Sequence, residues 1–441
     1  LFITYYFPPS GGPGVQRALK FVKYLPDYGW QPTVLTVHAD HAAYPDLDPT
    51  MMAEVPLGLQ VERTYAWDPY ALYAGLLGQE KSETVGVSFT GEGEATWKQR
   101  LARWFRANVF LPDARAGWGP FAVRRAKRLL AQGPFDALLT TGPPHSTHRI
   151  GLQLARRYRL PWLADFRDPW TGIDYYDLLP MTGLARAWDA RMERTVLETA
   201  DVVTAVSPAM ARVLSDKGGR SCQVLMNGYD PEDFADVTAH PSPDVFDLTY
   251  VGNLNEDRNP DALWQALARL EAPDQMADLR VRLVGHIDPV VIQAAERRGL
   301  GDLLKQRRYV PHPEAIQTMK NAGVLLLVIN RVPGAEGIMT GKLYEYLASG
   351  RPILGIGPVA GDAAAVLEAT GAGRMFDFDD VAGVASFVHQ HYVAWQMGYP
   401  KSGATARAAA AYSRQGQAQV LAGLLEALAT RREVDAQIPI P

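Results

Sequence analysis

The chain has 441 residues, 47% of them hydrophobic, and a formal net charge of −4. That length predicts two or three buried cores rather than one, and the charge excludes a general electrostatic pull toward nucleic acid. One cysteine, Cys222, excludes an internal disulfide framework and points to a reducing compartment, where it is an inert small residue. No apolar run reaches the roughly 20 residues that span a bilayer.

Residues 1–7 read as a first strand. No secretory signal is therefore expected, and the chain is assigned to the cytoplasm. The turn Pro8-Pro9-Ser10-Gly11-Gly12-Pro13-Gly14 follows, then a helix over 15–28 that Gly29 ends, then a second strand at Thr33–Val37. This is a βαβ unit of the doubly wound type. Residues 80–95 are polar and glycine-rich, which predicts a surface loop. In Trp97–Val109 the residues Trp97, Leu101, Trp104, Phe105 and Val109 form one apolar stripe, flanked by Lys98, Arg100, Arg103 and Arg106. Such a basic amphipathic helix suits an anionic membrane or an anionic acceptor, so peripheral membrane contact through 97–109 is expected.

Strand-like runs recur at 137–141, 162–165, 202–206 and 223–226, with helical segments between them. A first Rossmann-like domain is thus expected over 1–235. Pro231, Pro241 and Pro243 mark a connector. A second series, 248–251, 281–284, 308–310, 323–329 and Ile353–Ile356, predicts a second Rossmann-like domain over 236–410. Residues 411–441 are read as a helix at 412–428 that crosses back to the first domain, and a tail. The fold class is α/β, two Rossmann-like domains facing each other across a cleft.

The stretch 341–352 organises the second series. It lies between two apolar, parallel-type strands; Gly341 opens a helix, Gly350 suits a left-handed C-cap, and Pro352 forbids continuation. A helix amino end after a βα loop offers free N–H groups and the positive end of a dipole to phosphate. Lys342 adds a cation there. Glu345, one turn further on the same face, is placed to accept two vicinal ribose hydroxyls. The residues themselves thus predict a nucleoside-diphosphate site.

In chain order, Tyr5-Tyr6-Phe7-Pro8-Pro9 with Gly11-Gly12, Ser207-Pro208-Ala209-Met210, Asn227-Gly228-Tyr229-Asp230 with Phe234, Tyr250-Val251-Gly252-Asn253-Leu254, and 342–352 resemble family 4 of the retaining glycosyltransferases. Together they cover nearly the whole chain. The resemblance implies a GT-B fold and transfer of a hexosyl group from a UDP- or GDP-linked sugar to a glycan or lipid-linked acceptor. It also implies retained anomeric configuration, no cofactor and no essential metal, in surface polysaccharide or glycolipid biosynthesis. The donor is expected mainly on the C-terminal domain and the acceptor on the N-terminal one.

Carried onto this chain, Glu345 resembles the second glutamate of the family's E-x7-E pattern, the ribose ligand. Gly337 stands where the first glutamate belongs, and Glu336 is one residue off. The diphosphate loop appears as Gly252-Asn253-Leu254-Asn255-Glu256-Asp257-Arg258, with Arg258 in the lysine place and Asn253 in the arginine place. Donor binding is therefore assigned to Gly11, Gly12, Asn253, Arg258, Gly341, Lys342, Leu343 and Glu345. Arg258 and Lys342 are the catalytic cations that stabilise the leaving diphosphate.

His145, in the loop after another strand, is placed by the resemblance against the donor sugar as a third catalytic residue; a neutral, packed loop histidine fits its position equally. Arg167 and Asp168 are assigned to the acceptor, with a structural ion pair as the even alternative. Arg258 has a surface pairing with Glu256 or Asp257 as its own alternative. Asn227 and Gly228 read as an interdomain turn. A nicotinamide dehydrogenase is disfavoured, because Arg17 stands where the third glycine of G-x-G-x-x-G belongs. A GT-B sugar-nucleotide epimerase and a non-catalytic nucleotide-sugar binder remain as alternatives.

Overall fold

The computed structural model of the chain describes residues 1–67, 97–173, 176–270 and 276–430. The expected polar loop at 80–95 lies outside the described residues, as do the side chains of Trp97, Lys98, Leu101 and Arg106.

Among the described residues, seven strands form the first sheet: β1 (Phe2–Ile3), β2 (Thr33–Val37), β3 (Gln60–Thr64), β4 (Leu138–Gly142), β5 (Trp162–Phe166), β6 (Val202–Ala205) and β7 (Gln223–Val224). Their order is β3-β2-β1-β4-β5-β6-β7 and every pairing is parallel. Successive residues alternate between two cores, as the pleat requires: Ile3, Leu35, Leu138 and Trp162 pack in one, Phe2, Val34, Leu139 and Leu163 in the other.

The second sheet holds β8 (Phe246–Val251), β9 (Leu279–Val284), β10 (Leu304–Arg307), β11 (Val324–Val328), β12 (Ile353–Ile356) and β13 (Gly373–Phe376). Its order is β10-β9-β8-β11-β12-β13, again all parallel. Both sheets have the crossover order of a doubly wound fold.

Several expectations are corrected in detail. The first strand is two residues long rather than seven; its pairing ends where the Thr4 N–H donates to the Leu35 carbonyl. The helix that follows is Pro13–Tyr24, continued by a 3₁₀ turn to Tyr28 and closed by Gly29 in the left-handed region. The strand expected at 308–310 is Leu304–Arg307 instead. Strands β3 and β13 had no counterpart in the sequence reading.

By packing, the chain divides into one unit of Leu1–Leu225 joined by the segment from Ala418, and a second of Met226–Gln417. The first unit thus stops short of residue 235, and for a local reason. Tyr229 exchanges backbone hydrogen bonds with Tyr412 and Arg414, the Arg414 guanidinium donates to Asn227 Oδ1 at 3.1 Å, and Lys320 donates to the Phe234 carbonyl. The last helix runs Arg414–Ala429. Its residues Ala418, Leu421, Leu424, Leu425 and Leu428 lie in the same core as Phe7, Val15, Leu19 and Val22. Among the described residues, no helix is long and apolar enough to cross a membrane.

Candidate functional site

In the second sheet the strand order reverses between β8 and β11, and open α/β sheets take ligands outside the carboxyl ends of strands at such a point. The helix Gly341–Ser349 follows β11, and Gly350 caps it with φ +70°. Among the described residues no side chain caps its amino end, which sits at Thr340. The Thr340 hydroxyl oxygen is buried there without a partner among the described residues. The Leu343 N–H is taken by the Thr340 carbonyl at 3.2 Å, and the Leu343 side chain is buried in the core. The amino end therefore offers Gly341 and Lys342, while Leu343 holds the turn.

Lys342 and Arg258 are brought together by one main-chain oxygen. Lys342 Nζ donates to the Tyr250 phenol at 2.7 Å and reaches the Asn253 carbonyl at 3.4 Å. Tyr250 itself donates to that carbonyl at 2.6 Å, and Arg258 Nη1 does so at 3.3 Å. Arg258 Nε is fixed by Asn330 Oδ1 at 2.6 Å, from the segment after β11, rather than by Glu256 or Asp257. Asn253 contributes its backbone here; its side chain is exposed. Burial, with the Arg258 charge second, brings the Lys342 ammonium down to about 8 against the opposing pull of Glu345. Burial pushes the Tyr250 phenol up to about 12, so it remains a donor.

Gly252 explains why no side chain is tolerated at the end of β8. Its φ is +118°, and a Cβ would lie 2.2 Å from Lys342 Cε. Gly285 backs it in the same way, with φ +124° and the Gly252 carbonyl 2.4 Å from its notional Cβ. Glu345 stands three residues after Lys342, on the same helix face. Its Oε1 is 3.1 Å from His312 Nε2, and both side chains reach solvent. The position of the absent glutamate, Gly337, lies in a 3₁₀ turn over Ala335–Gly337 in which Glu336 is exposed.

The first unit places its candidates at the carboxyl ends of β1, β4 and β5. Gly12 begins the Pro13–Tyr24 helix with φ +83° and, among the described residues, nothing within 4 Å of its notional Cβ, whereas Gly11 donates its N–H to the Asp46 carbonyl at 2.9 Å. Arg167 spends its guanidinium on main-chain carbonyls, those of Gly142 (3.2 Å), Gly14 and Pro143, and so staples three loops together. The structural ion pair is made two residues earlier, by Asp165 with Arg17, at 2.7 and 2.9 Å. Thr141 and Thr204 complete that carboxylate at 2.7 and 2.8 Å. Burial pushes Asp165 up, but the Arg17 charge and these donors outweigh it and hold the carboxyl below its usual range.

His145 is buried and stacks on Trp170, centroids 5.1 Å apart. Burial, with His148 second, holds its ring well below the usual imidazole range, so it is neutral. His148 is brought to about 3 by burial. Both rings crowd Gly142, whose Cβ would sit 2.6 Å from His148 Nε2. His145 and Asp168 line one cavity of about 310 Å³, which Arg103, Phe110 and Met181 also border. A larger cavity, about 790 Å³, lies at the amino ends of β1, β2 and β4, among Leu1, Trp30, Thr33 and Ala137, away from all these groups. Among the described residues, no group of three or more His, Cys, Asp or Glu is placed to hold a metal ion.

Sequence reasoning missed Asn330, Gly285 and His312, and named Tyr250 only within a resembling run, without a role. Gly252 and Gly285, each directly after a strand, carried a legible signal; the asparagine carried none.

Comparison with known proteins adds the following. The profile of Glycosyltransferase Family 4 matches residues 14–233. No curated protein matches the sequence. Among solved structures, sucrose-phosphate synthase from Thermosynechococcus elongatus is similar with a TM-score of 0.60 at 16% identity, covering 98% of each chain. HepE of Anabaena in complex with UDP gives 0.60 at 15%, covering 97% of this chain and 99% of its own. Its complex with UDP-glucose gives 0.57 at 14%, covering 97% and 98%. At such identities the structural likeness is one of fold, and that fold is GT-B. With the profile match and the two parallel sheets, the chain belongs to glycosyltransferase family 4.

Proposed function

We propose that this glycosyltransferase moves a sugar from a nucleoside-diphosphate sugar to a glycan or lipid-linked acceptor with retention of anomeric configuration, in surface polysaccharide or glycolipid synthesis. The observation that carries the donor assignment is the convergence of Lys342 and Arg258 on the Asn253 carbonyl, beside the uncapped amino end of a helix that carries Glu345 one turn on. The UDP and UDP-glucose complexes of HepE make a UDP-linked sugar the first donor to try.

In this reading the two cations and the Gly341 and Lys342 N–H groups take the charge of the departing diphosphate, without need of a metal. The Thr340 hydroxyl is a further donor at the same place. The leaving phosphate oxygen accepts the proton of the acceptor hydroxyl as the new glycosidic bond forms on the face from which the diphosphate departs. The protein's part is preorganised charge and orientation. A neutral His145 serves by hydrogen bonding to a sugar hydroxyl rather than as a proton donor, with Asp168 beside it for the acceptor. Arg167 acts by holding the loops that carry them. The basic helix Trp97–Val109 favours an acceptor delivered at a membrane.

The test is to supply UDP- and GDP-linked hexoses with an acceptor panel and read the anomeric proton of the product by NMR. An inverted product refutes retention. Conversion of the donor to another sugar nucleotide without acceptor identifies an epimerase, and tight donor binding without turnover identifies a binder. Glu345→Gln loses charge-assisted hydrogen bonds to ribose, which weakens nucleoside-diphosphate affinity by roughly 10- to 100-fold. Inorganic pyrophosphate affinity should change much less, since Glu345 reaches it only through the Lys342 charge. Unaltered UDP and GDP affinity in this variant contradicts the ribose assignment.

A further inference from the structure

The first unit exposes large apolar side chains on two adjoining helices and the turn between them. Leu184 is 86% exposed, Leu178 69% and Trp188 61%, while Trp104, Phe105 and Val109 are each near half exposed. Single exposed apolar residues are ordinary; a group on contiguous elements marks an interaction surface.

The elements are contiguous through one side chain. Asn108, in the last turn of the Trp97–Val109 helix, donates to the Pro180 carbonyl at 2.9 Å and accepts the Thr182 N–H at 2.7 Å. Thr182 in turn caps the Gly183–Thr199 helix by accepting the Ala185 N–H. Trp104 and Phe105 stand one turn before Asn108, and Leu184 stands two residues after Thr182, so both sets lie within a turn of this joint.

Charge is sorted across the second helix. Its acids Asp189 and Glu193 are buried, the first held by Trp170 and Tyr176 at 2.8 Å, the second paired with Lys217 at 3.0 Å. Its Arg191 and Arg194 are exposed, as is Arg100 on the first helix. Glu198 is the exposed acid of the second helix, and Asp177 in the turn is paired with Arg186 at 3.0 Å. On a chain of net charge −4, this face is a local basic excess around an apolar centre.

We propose that this face lies on an anionic lipid bilayer. Leu178, Leu184 and Trp188, with Trp104, Phe105 and Val109, enter the headgroup boundary, and Arg100, Arg191 and Arg194 meet lipid phosphates. Charge selects this occupant over a second copy of the chain. An isologous dimer through the same face brings arginines against arginines, whereas an anionic surface satisfies them. Arg103 and Ala107 of the first helix, with Leu179 to Met181 of the joint, also border the 310 Å³ cavity. The bilayer contact thus sets a lipid-borne acceptor beside His145 and Asp168. Only that last step rests on the transferase reading.

The test uses the full chain without donor. Co-flotation with vesicles of phosphatidylcholine, and of phosphatidylcholine mixed with phosphatidylglycerol, should show binding to the mixed vesicles that falls as salt is raised. Leu184→Ser with Trp188→Ser should lower that binding at least tenfold, with Tm and UDP binding unchanged; both positions are exposed, so the fold tolerates them. Arg191→Glu with Arg194→Glu should abolish the preference for anionic vesicles. Wild-type indifference to phosphatidylglycerol, undiminished binding by the variants, or a wild-type dimer that the serine variant splits into monomers overturns the proposal. Loss of transfer with vesicle binding intact counts against the transferase reading and leaves this one standing.

Discussion

Raising the pH from 7 to 9 removes the proton from Lys342 in the empty site, and diphosphate affinity should fall with it. The ammonium is brought to about 8 by burial and by Arg258. Such a group is roughly nine-tenths protonated at pH 7, about half at pH 8 and roughly one-tenth at pH 9. If only the ammonium form receives the diphosphate, UDP affinity falls about tenfold over that interval, and binding at pH 8 takes up about half a proton. Calorimetry of UDP binding at three pH values, in two buffers of different ionisation heat, measures both quantities. Lys342→Met should bind more weakly at pH 7 and lose the pH dependence. The sign on folding is the reverse. The unfolded chain holds this proton up to its ordinary 10.5, so from about pH 8 to 10.5 the ligand-free protein gains stability relative to Lys342→Met. A wild-type affinity that is flat from pH 7 to 9, or an equal fall in Lys342→Met, refutes the reasoning.

Gly252→Ala sets a Cβ against Lys342 Cε at 2.2 Å and forces φ +118° on a side-chain residue. It should cost about 1–3 kcal/mol of stability in urea titrations and also weaken UDP binding several-fold. Gly29→Ala, with φ +81° and open space around its Cβ, should cost stability alone. Arg17→Met leaves the buried Asp165 without its cation and should cost roughly 3–5 kcal/mol, much of it recovered when Asp165→Leu is added. Equal stability of wild type and Arg17→Met, read by thermal unfolding, counts against that pair as an anchor.

What the sequence made legible follows burial. Strands at the middle of each sheet, such as Val324–Val328 and Trp162–Phe166, are apolar on both faces and announce themselves. Apart from the overlong central first strand, the errors collect at sheet edges. Gln60–Thr64, Leu304–Arg307 and Gly373–Phe376 are edge strands whose polar or glycine-containing sequences carry no apolar run. The site divides in a similar way. Lys342 and Glu345 were readable because a helix start has a local grammar of glycine, cap and spacing. The carbonyl of Asn253 was not, because any residue there has a carbonyl; only the three donors gathered from Tyr250, Arg258 and Lys342 reveal its task. Arg17 was noticed only as the wrong residue for a dinucleotide fingerprint, yet it secures the carboxyl end of β5 through a partner 148 positions away.

The last helix has a consequence for how the protein is made. The hydrophobic ledge formed by Phe7, Val15, Leu19 and Val22 emerges from the ribosome well before Leu421, Leu424, Leu425 and Leu428, which cover it. During synthesis the ledge must wait for its lid or be shielded by a chaperone. A gene cut in the connector yields an amino-terminal half with that ledge bare, prone to clump; supplying residues 414–430 in trans should restore its solubility.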